Sequence, residues 1–268
     1  MEHMKADGLV LDLGDRARAE LVDLIVRQMS PLGLAAMTVL AAGPGQRVLD
    51  VGCGAGETVL QLADRVGTSG HVIGVDVASR VLAVARQRTD HLPHVVLLQE
   101  DAADLALPDA SVDAVFSRFG VMFFADPDAA FSNIRRMLKP GGRIGFVCWR
   151  SMQENELDLF CVEAAGLPIA VDASPFSLEK ASVIERVLSA AGFGQITVSA
   201  HDAQVSCGDV DATLKVATRV GALGKALREN PALLPNAEPA VRAALSTREQ
   251  NGAVHLGAAT WIVTAVAG

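Results

Sequence analysis

Short apolar runs alternate with segments of helical spacing through the middle of the chain. The apolar runs predict strands at residues 47–51, 70–75, 95–99, 112–117 and 143–149. The segments between them predict helices at 57–66, 79–88 and 127–138. Strands that are apolar on both faces are typical of a parallel sheet covered by helices. We therefore expect an α/β fold with a mostly parallel sheet and helices on both faces.

The segments before residue 43 and after residue 149 do not show this regular alternation of strands and helices. A helix is predicted at 15–28, and a second one begins at Ser30-Pro31 and ends near residue 42. After residue 149 the pattern predicts a helix at 178–191, strands at 195–200 and 258–266, and helices at 211–227 and 239–248. The long stretch between the last two strands is read as a helical insertion at about 203–252. The expected organisation is a helical lid at 1–42, a core at 43–150, and a remainder at 151–268 that completes the sheet and includes a substrate-lid segment.

Composition narrows the functional classes. Half of the 268 residues are hydrophobic, which excludes a disordered chain. A net charge of −8 argues against a nucleic-acid partner. We see no signal peptide and no apolar run long enough for a membrane helix, so a cytoplasmic protein is expected. Neither the cysteine nor the histidine spacing indicates a metal site. Nine of the eleven aromatic residues are Phe, and all nine lie between Phe116 and Phe193.

The strongest chemical signal is the sequence Asp50-Val-Gly-Cys-Gly-Ala-Gly56, which follows a predicted strand and precedes a helix. Glycines allow a sharp turn and a close approach of a ligand to the backbone. The spacing differs from that of dinucleotide-binding loops, because Glu57 stands where those loops have their last glycine. Asp76 ends the second strand and is placed to accept the hydroxyls of a ribose. Asp101 follows the third strand and is placed near an adenine amine, although each acid could instead cap a helix or a turn.

These motifs resemble those of class I S-adenosylmethionine-dependent methyltransferases. Residues 48–56 are similar to the first motif of that family, Gly74-Val75-Asp76 to the second, and residues 138–143 to the turn before the fifth strand. Residues 117–124 resemble a bacterial small-molecule branch related to ubiquinone and menaquinone biosynthesis. The resemblance implies a Rossmann-like sheet of seven strands with an antiparallel last strand and helical lid elements. It also implies S-adenosylmethionine as cofactor, methyl transfer by in-line displacement, and the following cofactor-binding residues: Asp50, Gly52, Cys53, Gly54, Gly56, Asp76, Val77, Asp101, Ala102 and Ser117.

The acceptor side of the reaction is expected at the carboxyl ends of the fourth and fifth strands, where ligands bind in such sheets. Candidate substrate-binding residues are Arg118, Phe119, Met122, Phe123, Trp149 and Arg150. Arg118 or Arg150 could engage an anionic group, or could be a surface arginine paired with Glu154 or Glu156. The aromatic residues could equally be packing. No catalytic base stands out, and Arg118, His201 and His255 are the only candidates.

The sequence therefore predicts an enzyme that methylates an O or N atom of a small, partly apolar metabolite or a short peptide. An RNA or protein methyltransferase and a regulatory protein that binds S-adenosylmethionine without turnover remain as alternatives. An NAD-dependent oxidoreductase fits the glycine spacing poorly. A membrane partner is not expected, and the apolar last strand leaves a homo-oligomer open.

Overall fold

A computed structural model describes residues 16–167 and 172–268 and divides the chain into two compact units. The larger unit contains Leu32–Ser151, Ser174–His201 and Thr260–Gly268. The described residues of the smaller unit are 16–31, 152–167, 172–173 and 202–259. Part of the expected N-terminal lid, residues 1–15, lies outside the described residues. The remaining lid residues are divided between the two units after Pro31.

The larger unit is built on a seven-stranded sheet, and only residues 202–205 and 256–259 of its last two strands belong to the smaller unit. The strands are β1 (Arg47–Val51), β2 (His71–Val75), β3 (Val95–Leu98), β4 (Val112–Arg118), β5 (Leu138–Trp149), β6 (Phe193–Val205) and β9 (Leu256–Ala267). Their order is β3-β2-β1-β4-β5-β9-β6. β1 to β5 pair in parallel, and β9 pairs antiparallel with β5. The predicted mostly parallel sheet with an antiparallel last strand is confirmed.

The strand order reverses between β1 and β4. The chain moves outward from β1 to β3 and then returns to the other side of β1. Because crossovers between parallel strands are right-handed, this reversal places the connecting helices on opposite faces of the sheet. These helices are α2 (Glu57–Val66), α3 (Ser79–Thr89) and α4 (Pro127–Met137), and α6 (Ala181–Ala190) packs against α4. The crevice at the ends of β1 and β4 is where ligands bind in sheets of this kind.

The helix that begins at Val22 corrects the prediction of a break at Ser30-Pro31. Helix α1 runs without interruption over Val22–Leu40, with Pro31 inside it. Proline removes one helical hydrogen bond and crowds the preceding turn. Leu32, Met37 and Leu40 are fully buried after it. Burial of large apolar side chains stabilises by about 1.5–3 kcal/mol each, which outweighs the local cost of the proline.

The smaller unit is mainly helical. It contains α5 (Glu156–Ala165), α7 (Val210–Ala217), α8 (Gly221–Glu229) and α9 (Leu234–Ser246). The single helix expected at 211–227 is wrong: it divides at Gly221, whose φ of 73° is incompatible with a continuing helix. A hairpin of β7 (Glu249–Gln250) and β8 (Ala253–Val254), which was not predicted, follows α9. Residues of these helices form one apolar core that includes Leu214, Leu227, Ala237, Val241 and Leu245.

Candidate functional site

The glycine loop between β1 and α2 is fixed to the end of β2. The backbone N–H groups of Gly52 and Cys53 both donate to the Val75 carbonyl, at 2.9 and 3.1 Å. Gly52 has a φ of 73°, and a Cβ there would stand 2.8 Å from the Cα of Gly120. Gly56 is similarly close to Ala85. The backbone is therefore packed at both ends of the loop, where only glycine fits.

Gly54 differs from the other two glycines. Its φ is 52°, but a Cβ at this position would meet nothing within 4 Å. Its N–H donates to Asp76 Oδ2 at 2.8 Å, while Asp76 Oδ1 accepts the N–H of Ala78 at 2.8 Å. A carboxylate has about four acceptor positions, so each oxygen of Asp76 can still accept a hydroxyl. The centre of the loop thus presents open backbone beside a partly exposed carboxylate.

Asp50 lies beneath the loop and is completely buried. Its Oδ2 accepts the hydroxyl of Thr58 at 2.5 Å, whereas Oδ1 has no hydrogen-bond partner. Burial raises the pKa of Asp50 to about 7, with smaller contributions from the nearby acids Asp76 and Glu57. Thr58 and Arg118 oppose that rise. Burying a carboxyl group favours its neutral form, so Asp50 keeps its proton to a higher pH than an exposed acid does.

Ser117 joins the ends of β1 and β4. Its hydroxyl donates to the Val51 carbonyl at 2.8 Å and accepts the N–H groups of Gly120 and Val121, at 3.1 and 3.2 Å. The side chain is fully buried. The hydroxyl is therefore used within the protein, which supports a structural role rather than direct contact with a cofactor. Gly120, which the sequence reasoning did not single out, is needed here because a Cβ would lie 2.5 Å from the Val51 carbonyl oxygen.

Arg118 forms an ion pair that the sequence did not suggest. Its partner is Glu57, the first residue of α2, and neither Glu154 nor Glu156 is involved. Both side chains are only 14% exposed, and the aliphatic part of Arg118 packs against Gly33. Glu57 also accepts a hydrogen bond from Gln61 at 3.0 Å. The guanidinium of Arg118 thus binds the first residue of the helix that begins at the glycine loop.

An aromatic patch, defined as Phe119, Phe123 and Trp149, lies at the exits of β4 and β5. The rings of Phe119 and Trp149 stack with centroids 4.1 Å apart and planes 21° apart. Phe119 has a φ of 61°, a conformation that bulky residues rarely adopt. Phe123, in a 3₁₀ turn, is 57% exposed. The turn of the chain at Phe119 therefore presents a flat apolar surface beside Gly120 and the glycine loop.

The other predicted acceptor residues are less accessible. Met122 is buried, and its sulfur accepts the backbone N–H of Trp149 at 3.5 Å. Arg150 stacks over the ring of Trp261, 5.2 Å from its centroid. His201 lies in β6, which three strands separate from β1, so the fold does not bring it to the glycine loop. His255 is exposed and belongs to the smaller unit.

The remaining cofactor candidates lie at the ends of β2 and β3. Val77 is 65% exposed, which is unusual for a large apolar side chain directly after a buried strand. Asp101 is exposed, and its carboxylate accepts the N–H of Ala103 at 2.9 Å. Ala102 is buried. Cys53 is also buried, so the loop offers the backbone of Cys53 and not its thiol.

A comparison with protein families decides the identity of this region. Residues 49–146 match the family described as "Methyltransferase domain". This part of the chain is therefore similar to methyltransferase domains. The match includes the glycine loop, Asp76, Asp101 and the exit of β4. A methyltransferase domain of this fold implies S-adenosylmethionine as its cofactor, as the sequence predicts.

Two curated relatives of this region are named as quinone methyltransferases. The chain is 35% identical over 116 residues to a 2-phytyl-1,4-naphtoquinone methyltransferase of Thermosynechococcus vestitus, covering 43% of this chain and 52% of the relative. It is 35% identical over 124 residues to a demethylmenaquinone methyltransferase of Staphylococcus epidermidis, covering 46% and 50%. The chain thus spans about half the length of these relatives. The predicted likeness to menaquinone-type enzymes is confirmed.

A solved structure extends the likeness beyond the methyltransferase domain. The YcgJ protein of Bacillus subtilis superposes with a TM-score of 0.60 at 20% identity, covering 87% of this chain and 97% of that one. This likeness concerns the fold, and it confirms the predicted class I architecture. Within the described residues, no helix is long and apolar enough to cross a membrane, and no cluster of three metal-binding side chains occurs.

Proposed function

We propose that this protein transfers a methyl group from S-adenosylmethionine to an O or N atom of a small, partly apolar acceptor, and that it acts in the cytoplasm. The observation that carries the proposal is the contact between Gly54 and Asp76. It places open backbone and a carboxylate side by side at the carboxyl end of the sheet. A site of this kind suits a ligand with a ribose and an adjoining polar chain.

The residues present fit that cofactor. Asp76 retains free acceptor positions for ribose hydroxyls, and the open space at Gly54 suits a chain that passes close to the backbone. Val77 supplies an exposed apolar side chain against which an adenine would lie, with Asp101 beyond it. Asp50 begins the loop sequence, and its buried Oδ1 has no hydrogen-bond partner among the described residues. We assign Asp50, Cys53, Ser117 and the closely packed Gly52 and Gly56 to the support of the loop. The cofactor itself is assigned to Gly54, Asp76, Val77, Asp101 and Ala102.

The aromatic patch supports an apolar acceptor. Phe119 is held by its stacking on Trp149, and its N–H donates to the Val147 carbonyl at 3.0 Å. Flat aromatic surfaces bind flat apolar ligands through offset stacking. The names of the curated relatives point the same way, because naphthoquinones are planar and apolar. We therefore favour an acceptor with an aromatic or quinone-like ring.

Methyl transfer from S-adenosylmethionine requires few catalytic side chains. When bound, S-adenosylmethionine supplies a methyl group already activated by a positively charged sulfur. The protein contributes by holding the acceptor in line and by excluding water, tasks that suit the stacked Phe119–Trp149 pair. A base is required only if the acceptor atom must lose a proton. Because the guanidinium of Arg118 is paired with Glu57, we assign Arg118 to the positioning of α2 and the loop and not to catalysis.

The proposal is tested by incubating the purified protein with methyl-labelled S-adenosylmethionine and a panel of acceptors. The panel contains a reduced naphthoquinone, a simple phenol, an aromatic amine, a short peptide and total RNA. We expect label to transfer to one of the small ring compounds, with S-adenosylhomocysteine formed in equal amount. Transfer to RNA or peptide alone would contradict the small-molecule acceptor. Cofactor binding without transfer to any acceptor would favour the regulatory alternative.

A further inference from the structure

A groove of about 780 Å³ lies wholly within the smaller unit. Its walls come from the described N-terminal residues and from α7, α8 and α9. Ala17, Leu214 and Leu227 are buried in its floor, and Leu234 is 38% exposed at its side. A volume of this size accommodates a small organic molecule. The lining combines a few apolar side chains with a larger number of charged ones.

Some of the charged side chains that line the groove form ion pairs with each other, and others do not. Arg16 and Arg219 both contact Glu20, and Arg242 pairs with Asp211. Lys215 and Arg228 also line the groove. Among the described residues, neither of these two forms an ion pair with a carboxylate. The groove therefore contains three arginines that pair with two acids, Glu20 and Asp211, and two cations without such a pair. A third acid, Glu238, also lines it.

Arg228 is the more informative of these two cations. One of its terminal nitrogens donates to the Arg219 carbonyl, while its buried Nε has no hydrogen-bond partner. Burial lowers the pKa of Arg228, and the neighbouring Arg18 adds to that effect, while Glu229 opposes it without reversing it. An arginine nevertheless remains charged at neutral pH. A partly desolvated guanidinium beside a second cation is an unfavourable arrangement, which a bound anion would relieve.

From this combination we infer that the groove binds an amphipathic organic anion, with a carboxylate or phosphate at Arg228 and Lys215 and an apolar body along Leu214, Leu227 and Leu234. Arginine pairs with the two oxygens of such a group through parallel hydrogen bonds, and the apolar walls account for the rest of the molecule. The groove belongs to the smaller unit and the glycine loop to the larger one, and the inference does not depend on the proposed methyl transfer.

The test is a calorimetric titration of the full chain with decanoate, decyl phosphate and 1-decanol. We expect saturable binding of at least one anion and much weaker binding of the alcohol, which has the same apolar body without the charge. Comparing decanoate with decyl phosphate identifies the preferred anionic group. In Arg228→Gln the affinity for the anion should fall about tenfold or more, because a charge-assisted hydrogen bond is lost.

Two further variants keep the test decisive. Lys215→Gln, at an exposed position, should weaken anion binding severalfold and serves if Arg228→Gln does not fold. Arg186→Gln removes an exposed arginine paired with Asp128 in the larger unit and should leave the affinity unchanged. The inference is overturned if no anion binds saturably, if decanol binds as tightly as the anions, or if neither groove variant changes the affinity.

Discussion

The glycine loop and the aromatic patch face the same end of the sheet but are built in different ways. The loop presents backbone groups, held by Val75 and Asp76 and packed against Gly120 and Ala85. The patch presents side chains, whose positions depend on the unusual conformation of Phe119 and its stacking on Trp149. The glycine loop thus depends on the absence of side chains at its glycines. The aromatic patch depends on the particular side chains that form it.

This difference explains what each region can specify. A backbone surface binds a ligand that is common to a whole family, because its geometry survives most changes of neighbouring side chains. A patch of side chains can be altered one residue at a time, which suits selection among acceptors. Variants at the loop should therefore affect stability and cofactor binding, whereas variants at the patch should affect only the acceptor.

The largest effect is expected for Gly52→Ala. A Cβ would overlap the Gly120 backbone at 2.8 Å and would also require a left-handed conformation. We expect a loss of about 2–5 kcal/mol in the free energy of unfolding, measured by urea denaturation. Gly54→Ala is the matched control, since its Cβ meets nothing within 4 Å. It should lose only about 1–2 kcal/mol but should bind S-adenosylmethionine poorly. Equal stability losses in the two variants would contradict the distinction between the packed and the open glycine.

The next effect concerns Asp50 and pH. Its pKa of about 7 in the folded protein lies above the unfolded value near 3.9, so between these limits the native state holds more protons than the unfolded state. The stability contributed by protonated Asp50 is therefore lost as pH rises from about 4 to 7. Asp50→Asn should become more stable relative to the wild type over that interval, by about 2–4 kcal/mol, and the difference should level off above it. Urea denaturation at a series of pH values measures this, and a difference independent of pH would refute it.

A smaller effect is expected for Asp76→Ala. Removing the carboxylate takes away the acceptor for the ribose hydroxyls and the partner of the Gly54 N–H. Affinity for S-adenosylmethionine should fall by about 1–3 kcal/mol, as measured by calorimetry. Asp90→Ala, which removes an exposed acid at the end of α3, is a control of equal charge change. An unchanged affinity in folded Asp76→Ala protein would exclude Asp76 from the cofactor site.

The smallest effect on stability is expected for Phe123→Ala. The ring is 57% exposed, so the free energy of unfolding should change by less than about 0.5 kcal/mol. The KM for the acceptor should rise severalfold while the affinity for S-adenosylmethionine stays constant. Val96→Ala changes a comparably exposed apolar residue on the edge strand β3 and should alter neither. A change in cofactor affinity in Phe123→Ala would break the separation of the two regions.

Features that depend on the local backbone could be predicted from the sequence, whereas features that depend on distant contacts could not. The glycine loop and the alternating core were predictable, because glycine spacing and apolar runs report local backbone requirements. The ion pair of Arg118 with Glu57 was not, because it joins residues 61 positions apart and only the fold brings them together. Likewise, Pro31 lies inside α1 because of distant apolar packing that a local rule does not include.

Other differences had a local signal that was missed. Asn251-Gly252 adopts positive φ at both residues, 52° and 76°, which is the preferred two-residue turn between antiparallel strands. That pair could have predicted the hairpin of β7 and β8. Gly221 could similarly have divided the helix expected at 211–227. The buried roles of Ser117 and Cys53 had no such signal, because their motif positions carry no information on where the side chains point.

The central claim is that the glycine loop of the methyltransferase domain binds S-adenosylmethionine through open backbone and Asp76. Calorimetric titration of the purified wild-type chain with S-adenosylmethionine, and separately with NAD, tests it most directly. We predict saturable binding of one S-adenosylmethionine per chain in the micromolar range and no comparable binding of NAD. Absence of S-adenosylmethionine binding, or tighter binding of NAD, would contradict it.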